Sequence, residues 1–188
     1  MKKRKLLIVL ILLVLIVLSL AVYLGVRNEK GRSTALALEQ LMDGNEYQYV
    51  DAKWGMSPKE VKKAVPYAIK KDENNVSSYN GRYFYKSKYP VVLDGYTANA
   101  SFEFIDDQLT CIKFNFRLGD NYDKWFNTQV DALRELYGEE SDTMENSSDE
   151  YNLTSKGYKW DTEQTTLQII LMTGDSINPT VMIGVGSR

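Results

Sequence analysis

Histidine is absent from the 188 residues, cysteine occurs once and proline four times. Without imidazole the chain lacks the commonest general base and the commonest metal ligand. The lone thiol, Cys111, can form neither an internal disulfide nor a Cys–His nucleophile pair. Stability therefore has to come from packing, even in an oxidising compartment. No Ser-x-x-Lys or Gly-x-Ser-x-Gly pattern occurs, nor a Gly-x-x-x-x-Gly-Lys phosphate loop, so the most readable hydrolase and nucleotide-binding signatures are missing. No motif calls for a cofactor. A carboxylate pair of the glycosidase kind is not excluded, because its two members need meet only in space.

What is present begins at the N-terminus. Lys2, Lys3, Arg4 and Lys5 precede an uncharged apolar run from Leu6 to Val26, which as a helix at about 1.5 Å per residue reaches roughly 31 Å. That is enough to cross a bilayer, and the cations ahead of it place the N-terminus in the cytoplasm and the remainder outside. Ser19 and Ala21 form a small-x-small pair that a signal peptidase could accept. The run continues through Val22, Tyr23 and Leu24, past the about 7 to 15 residues of a signal h-region, so an uncleaved anchor is the reading and secretion after cleavage its alternative. The only cysteine lies far from the run, which argues against a lipoprotein. The expected organisation is a cytoplasmic tail over 1–5, a transmembrane anchor over 6–26, a tether and membrane-proximal segment over 27–53, and an extracytoplasmic domain over 54–188.

Residues 27–188 carry 19 basic against 25 acidic side chains, a net of about −6, which disfavours nucleic acid as a partner. About 160 residues follow the anchor, sufficient for one domain with its own core.

Ala35, Leu38, Leu41 and Met42 recur at helical spacing and predict a helix over 34–42, ended by Asp43-Gly44. "WGMSPKEVKKAV", from Trp54 to Val65, is a helix start: Ser57 caps, Pro58 suits the first helical position, and Glu60 completes a capping box. Met56 and Val61 are placed to form a hydrophobic staple, and Pro66 stops the helix. Strands are predicted at 81–87, 96–105 and 109–118, with Asp106-Asp107-Gln108 linking the last two as a hairpin and a further extended piece at 89–93. A second helix follows: Asp120 or Asn121 caps it, Tyr122, Trp125, Phe126, Val130, Leu133, Leu136 and Tyr137 recur on one side, and Gly138 ends it. The acidic stretch 139–150 reads as a solvated loop; it could bind calcium but lacks the ligand alternation and central glycine of an EF-hand. Strands return at 157–162, 166–173 and 180–186. The fold class is α+β, an antiparallel sheet with helices packed on one face, and the order suggests a duplicated helix-then-strands unit.

"GMSPKEV" at 55–61, the strand run "ASFEFIDDQLTCIKFNF" at 100–116 and the helix end "LRELYG" at 133–138 resemble small exported bacterial domains of the SmpA/OmlA (BamE)-like and β-lactamase-inhibitor-like type. Two features depart from that group: Pro66 stands where a Leu-Gly helix ending is common, and an apolar anchor replaces a lipid-modified cysteine. The resemblance implies a non-enzymatic module whose helices cover one sheet face while the other face or an edge contacts a protein.

Tyr79, Tyr83, Tyr85, Tyr89 and Tyr96 form the candidate binding cluster. Tyrosine joins a flat apolar body to a polar tip, which suits protein interfaces and sugar rings, although it also fits a half-buried strand surface. If Phe84 points into the core, Tyr83 and Tyr85 turn together to the opposite face. The expected function is non-enzymatic binding of an envelope or secreted protein through the sheet; the alternatives are cell-wall glycan binding through the tyrosine-rich strand and, third, a carboxylate-dependent hydrolase. Ser57 and Glu60 are read as structural: replacing both by alanine should lower the melting temperature and leave binding intact. Loss of binding at an unchanged melting temperature would contradict that assignment.

Overall fold

The computed structural model describes residues 35–36, 38–76, 81–93, 95–148 and 152–188, all belonging to the unit Ser33–Arg188. The expected anchor over 6–26 lies outside the described residues, and among those described no helix is long and apolar enough to cross a membrane.

The first helix, α1, is Pro58–Ala64. Its start follows from the sequence: the Ser57 backbone N–H and hydroxyl both donate to Glu60 Oε2, at 2.8 and 2.7 Å, Val61 is fully buried, and Met56 packs against the core. The helix ends at Val65, whose extended backbone (φ −88°, ψ 142°) is what a following proline enforces. The second helix, α2, is Tyr122–Tyr137, with Gly138 at φ 82° closing its C-terminus. It buries Trp125, Phe126, Gln129, Val130 and Leu133. Leu136, expected on that stripe, is 44 % exposed.

Short strands β1 (Ala35–Leu36), β2 (Met42–Asp43) and β3 (Glu46–Tyr47) precede α1. Between the helices lie β4 (Ile69–Val76), β5 (Arg82–Ser87), β6 (Val91–Leu93), β7 (Tyr96–Ile105) and β8 (Gln108–Arg117); after α2 come β9 (Asp142–Ser148), β10 (Leu153–Asp161), β11 (Thr165–Gly174) and β12 (Ile177–Ser187). The order across the sheet is β4-β5-β7-β8-β12-β11-β10-β9; β6 pairs with the beginning of β7 and β1 runs parallel to β6. Each helix thus precedes a run of antiparallel strands whose last member, β8 or β12, lies at the centre. The β7–β8 hairpin turns through Asp106 (φ 51°) and Asp107 (φ 63°), the left-handed pair that a two-residue turn requires.

Period-two alternation sends one set of side chains under the helices. Ala98, Ala100, Phe102 and Phe104 of β7, Ile112, Phe114 and Phe116 of β8, Val181, Ile183 and Val185 of β12, and Leu167, Ile169 and Leu171 of β11 are buried together. Trp125 of α2 lies tilted against Phe116 at 4.9 Å, Phe126 meets Tyr158 at 6.0 Å, and Tyr49 lies edge-on to Phe114 at 4.8 Å.

Two expectations need correction, and one strand went unpredicted. The helix over 34–42 is replaced by a single 3₁₀ turn, Leu38–Leu41, between strand fragments; a nine-residue helix is marginal by itself, and the turn already buries Leu38 and Leu41. Leu38, Leu41, Tyr47, Tyr49 and Ala52 all enter the core. Their segment is tied down by Tyr137 Oη donating to the Leu38 carbonyl at 2.6 Å, Trp54 Nε1 to the Tyr47 carbonyl at 3.0 Å, and the Thr162 and Thr165 hydroxyls to the Glu46 carboxylate. The acidic stretch 139–150, read as a solvated loop, instead carries β9, because the free edge of β10 offers a ladder that composition does not reveal; its charges suit an edge strand. β4, rich in lysine, aspartate and asparagine, gave no strand signal and forms at the opposite side on the edge of β5, with a register shift between Lys71 and Val76.

Two measurements follow. Phe114→Ala should destabilise the domain by about 3–5 kcal/mol in urea unfolding, whereas Leu136→Ala should stay within about 0.5 kcal/mol. At the end of α2, Arg134 grips Glu140 with two bonds of 2.7 Å, holding the Glu140 carboxyl down to about 2. A depressed carboxylate stabilises the fold above its unfolded value of 4.5, and that contribution is lost as pH falls toward about 2. Glu140→Gln should therefore lower the melting temperature at neutral pH and converge with the parent near pH 2.

Candidate functional site

The same alternation that fills the core leaves a second set of side chains on the face away from the helices. Cross-strand registers put Met144, Gly157, Ile170 and Met182 in one row across β9, β10, β11 and β12, with Met172 beside it opposite Thr180. These methionines and Ile170 are partly exposed and lie outside the core cluster. Gly157 makes the row continuous: a Cβ there would come within 2.9 Å of Met144 Cγ and 3.0 Å of Ile170 Cγ1. The two side chains thus close over the glycine.

The next row is polar: Asp142, Lys159, Gln168, Gly184, Lys113, Ser101 and Lys86, strand by strand. Beyond it, Thr166, Gly186, Cys111, Glu103 and Phe84 line up. Glu103 is 4 % exposed and is held by Arg82, whose Nε donates at 2.7 Å to Oε1, and by Lys113, whose Nζ reaches Oε2 at 3.1 Å. Two cations on one buried carboxylate satisfy it and fix the register of β5, β7 and β8. Burial pushes the neighbouring Cys111 thiol up to about 11, which keeps it a protonated, weakly nucleophilic group. The open face therefore offers a soft apolar row bordered by lysines and amides. Among the described residues no group of three or more Cys, Asp or Glu side chains is arranged to hold a metal ion.

The candidate tyrosines are not brought together on this face. Tyr83 and Tyr85 pair with Phe104 and Phe102 and point with them to the helix side; it is Phe84 that faces outward, under Arg82 at 5.7 Å. The condition that would have turned both tyrosines away from the helices is thus not met. Both are half-buried, Tyr83 stacked on Phe104 at 5.5 Å and Tyr85 covered by Lys62 at 4.9 Å. Burial, and then the Asp107 carboxylate that accepts its hydroxyl, raise the Tyr83 phenol above its ordinary range. Tyr89 and Tyr96 are 46 % and 44 % exposed, and Tyr79 lies outside the described residues. Tyr96 stands edge-on to Trp125 at 5.0 Å at the mouth of a pocket of about 370 Å³.

Sequence reasoning missed Glu103 and the methionine row. The former is one acid within an alternating strand, with nothing local to mark it. The latter did leave a signal: "IILM", Ile169–Met172, is apolar at every position, the pattern of a strand covered on both faces, yet among the described residues only one face is covered. Comparison of the chain with protein-family models, curated proteins and solved structures finds no match.

Proposed function

We propose that this is a non-enzymatic, membrane-anchored extracytoplasmic domain that binds an envelope or secreted protein through the open face of its sheet. The observation that carries the reading is the row Met144–Ile170–Met182 with Met172 beside it, on a face that no described element covers. Apolar side chains on both faces of a central strand call for a second layer, and methionine adapts its shape to a partner surface. The polar row beside it supplies the rim that a protein interface uses to fix orientation. The anchor over 6–26 would tether the domain on the outer side of the membrane. The mirrored order of strands about β8 and β12, with one helix before each run, supports a duplicated unit, and one-sided helix cover is the arrangement that the SmpA/OmlA-like and β-lactamase-inhibitor-like resemblance implies.

The test is capture from solubilised envelope by the full chain and by an Ile170→Glu/Met182→Glu variant. Stoichiometric recovery of one protein by the parent, reduced about tenfold or more in the variant at an unchanged melting temperature, is the expected result. Equal recovery by both would remove the open face from the interaction.

A further inference from the structure

We propose that the pocket between Tyr96 and Trp125, on the helix-covered side of the sheet, binds the pyranose ring of a neutral glycan. It is independent of the open face: Tyr96 shares its alternation with Ala98 and Ala100, which point into the core. Its volume of about 370 Å³ falls in the range of small-ligand sites. One wall is rigid, because Trp125 is wedged between Tyr96 at 5.0 Å and Phe116 at 4.9 Å. The Tyr96 ring is 44 % exposed, leaving aromatic surface for the C–H face of a sugar.

The remaining lining decides the ligand class. Asp120, Asn121 and Thr128 present carboxylate, amide and hydroxyl groups, and Lys124 adds one cation to the one anion. A balanced charge favours an uncharged ligand over a phosphate or a polycation. Leu118 and Gly119 complete the lining, so apolar surface and polar side chains share the pocket; that mixture matches a molecule with hydroxyls at its edge and C–H groups on its face. At the first turn of α2, Tyr122 and Asp123 also border a second depression of about 630 Å³, lined further by Glu145, Thr154, Lys156 and Thr173. Polar surface for the rest of a polymer therefore lies beside the same helical turn.

The reporter is the Trp125 indole N–H, which is buried without a hydrogen-bond partner among the described residues in a ring touching Tyr96. The full chain, purified without sugar-based detergent, is titrated with N-acetylchitotetraose while the three tryptophan indole resonances are followed by NMR. A saturable shift of Trp125 is expected. Tyr96→Ala should weaken binding about tenfold with the Trp54 and Trp160 resonances unmoved, Tyr96→Phe should retain it, and Tyr89→Ala, at an equally exposed tyrosine, should leave it unchanged. No shift at millimolar tetrasaccharide, or equal affinity in Tyr96→Ala, would overturn the assignment. So would a pocket that answers only to an aromatic, proline-rich peptide, which would make it an anchor for protein.

Discussion

Phe116 opposite Val181, Phe114 opposite Ile183 and Ile112 opposite Val185 join β8 to β12, and on this pairing the rest of the molecule depends. It fuses two runs of strands into one sheet and sets six large side chains side by side where both halves contribute to the core. Register permits no compromise: a slip of one residue would carry the whole set to the other face. Holding Ile183 and Val181 inward also fixes Met182 and Gly184 outward. The open face is thus a geometric consequence of the core, and its apolar content is a separate choice made by the sequence.

That content is what the helices leave unexplained. α1 has 7 residues and α2 has 16, and their apolar sides are used on the face that carries Phe102, Phe114, Phe116 and Leu167. A solvated face would ordinarily alternate to polar residues, as β8 does with Lys113 and Asn115. Instead β11 and β12 place Ile170, Met172 and Met182 there, and β9 adds Met144 from the edge. Gly157 lets two of them meet above the strand between. Glu103, gripped by Arg82 and Lys113, holds the neighbouring strands in register on the same face.

Much of this was legible in the sequence and some was not, for physical reasons. Ser57, Pro58 and Glu60 announced α1, Pro66 its end, and Gly138 the end of α2, because caps and breakers act through local backbone geometry. The long alternating strands β7 and β8 were readable because burial on one face writes a period of two. β4 and β9 were not, since edge strands made of charged and amide residues owe their shape to a neighbour far along the chain. The 3₁₀ turn at Leu38–Leu41 was overestimated as a helix because both conformations bury residues three apart. Of the tyrosine cluster, the sequence marked Tyr96 without its setting: the partner Trp125 comes from α2, and only the fold brings the two rings to 5.0 Å.

The central claim is that the uncovered sheet face is a contact surface for protein. A photo-crosslinking amino acid placed singly at positions 170, 172 and 182 of the full chain, and at 136 on the exposed side of α2, tests it in intact cells. The account predicts one shared adduct from the three sheet positions and none from 136. Adducts from 136 alone, or a different scatter of products from each sheet position, would contradict it.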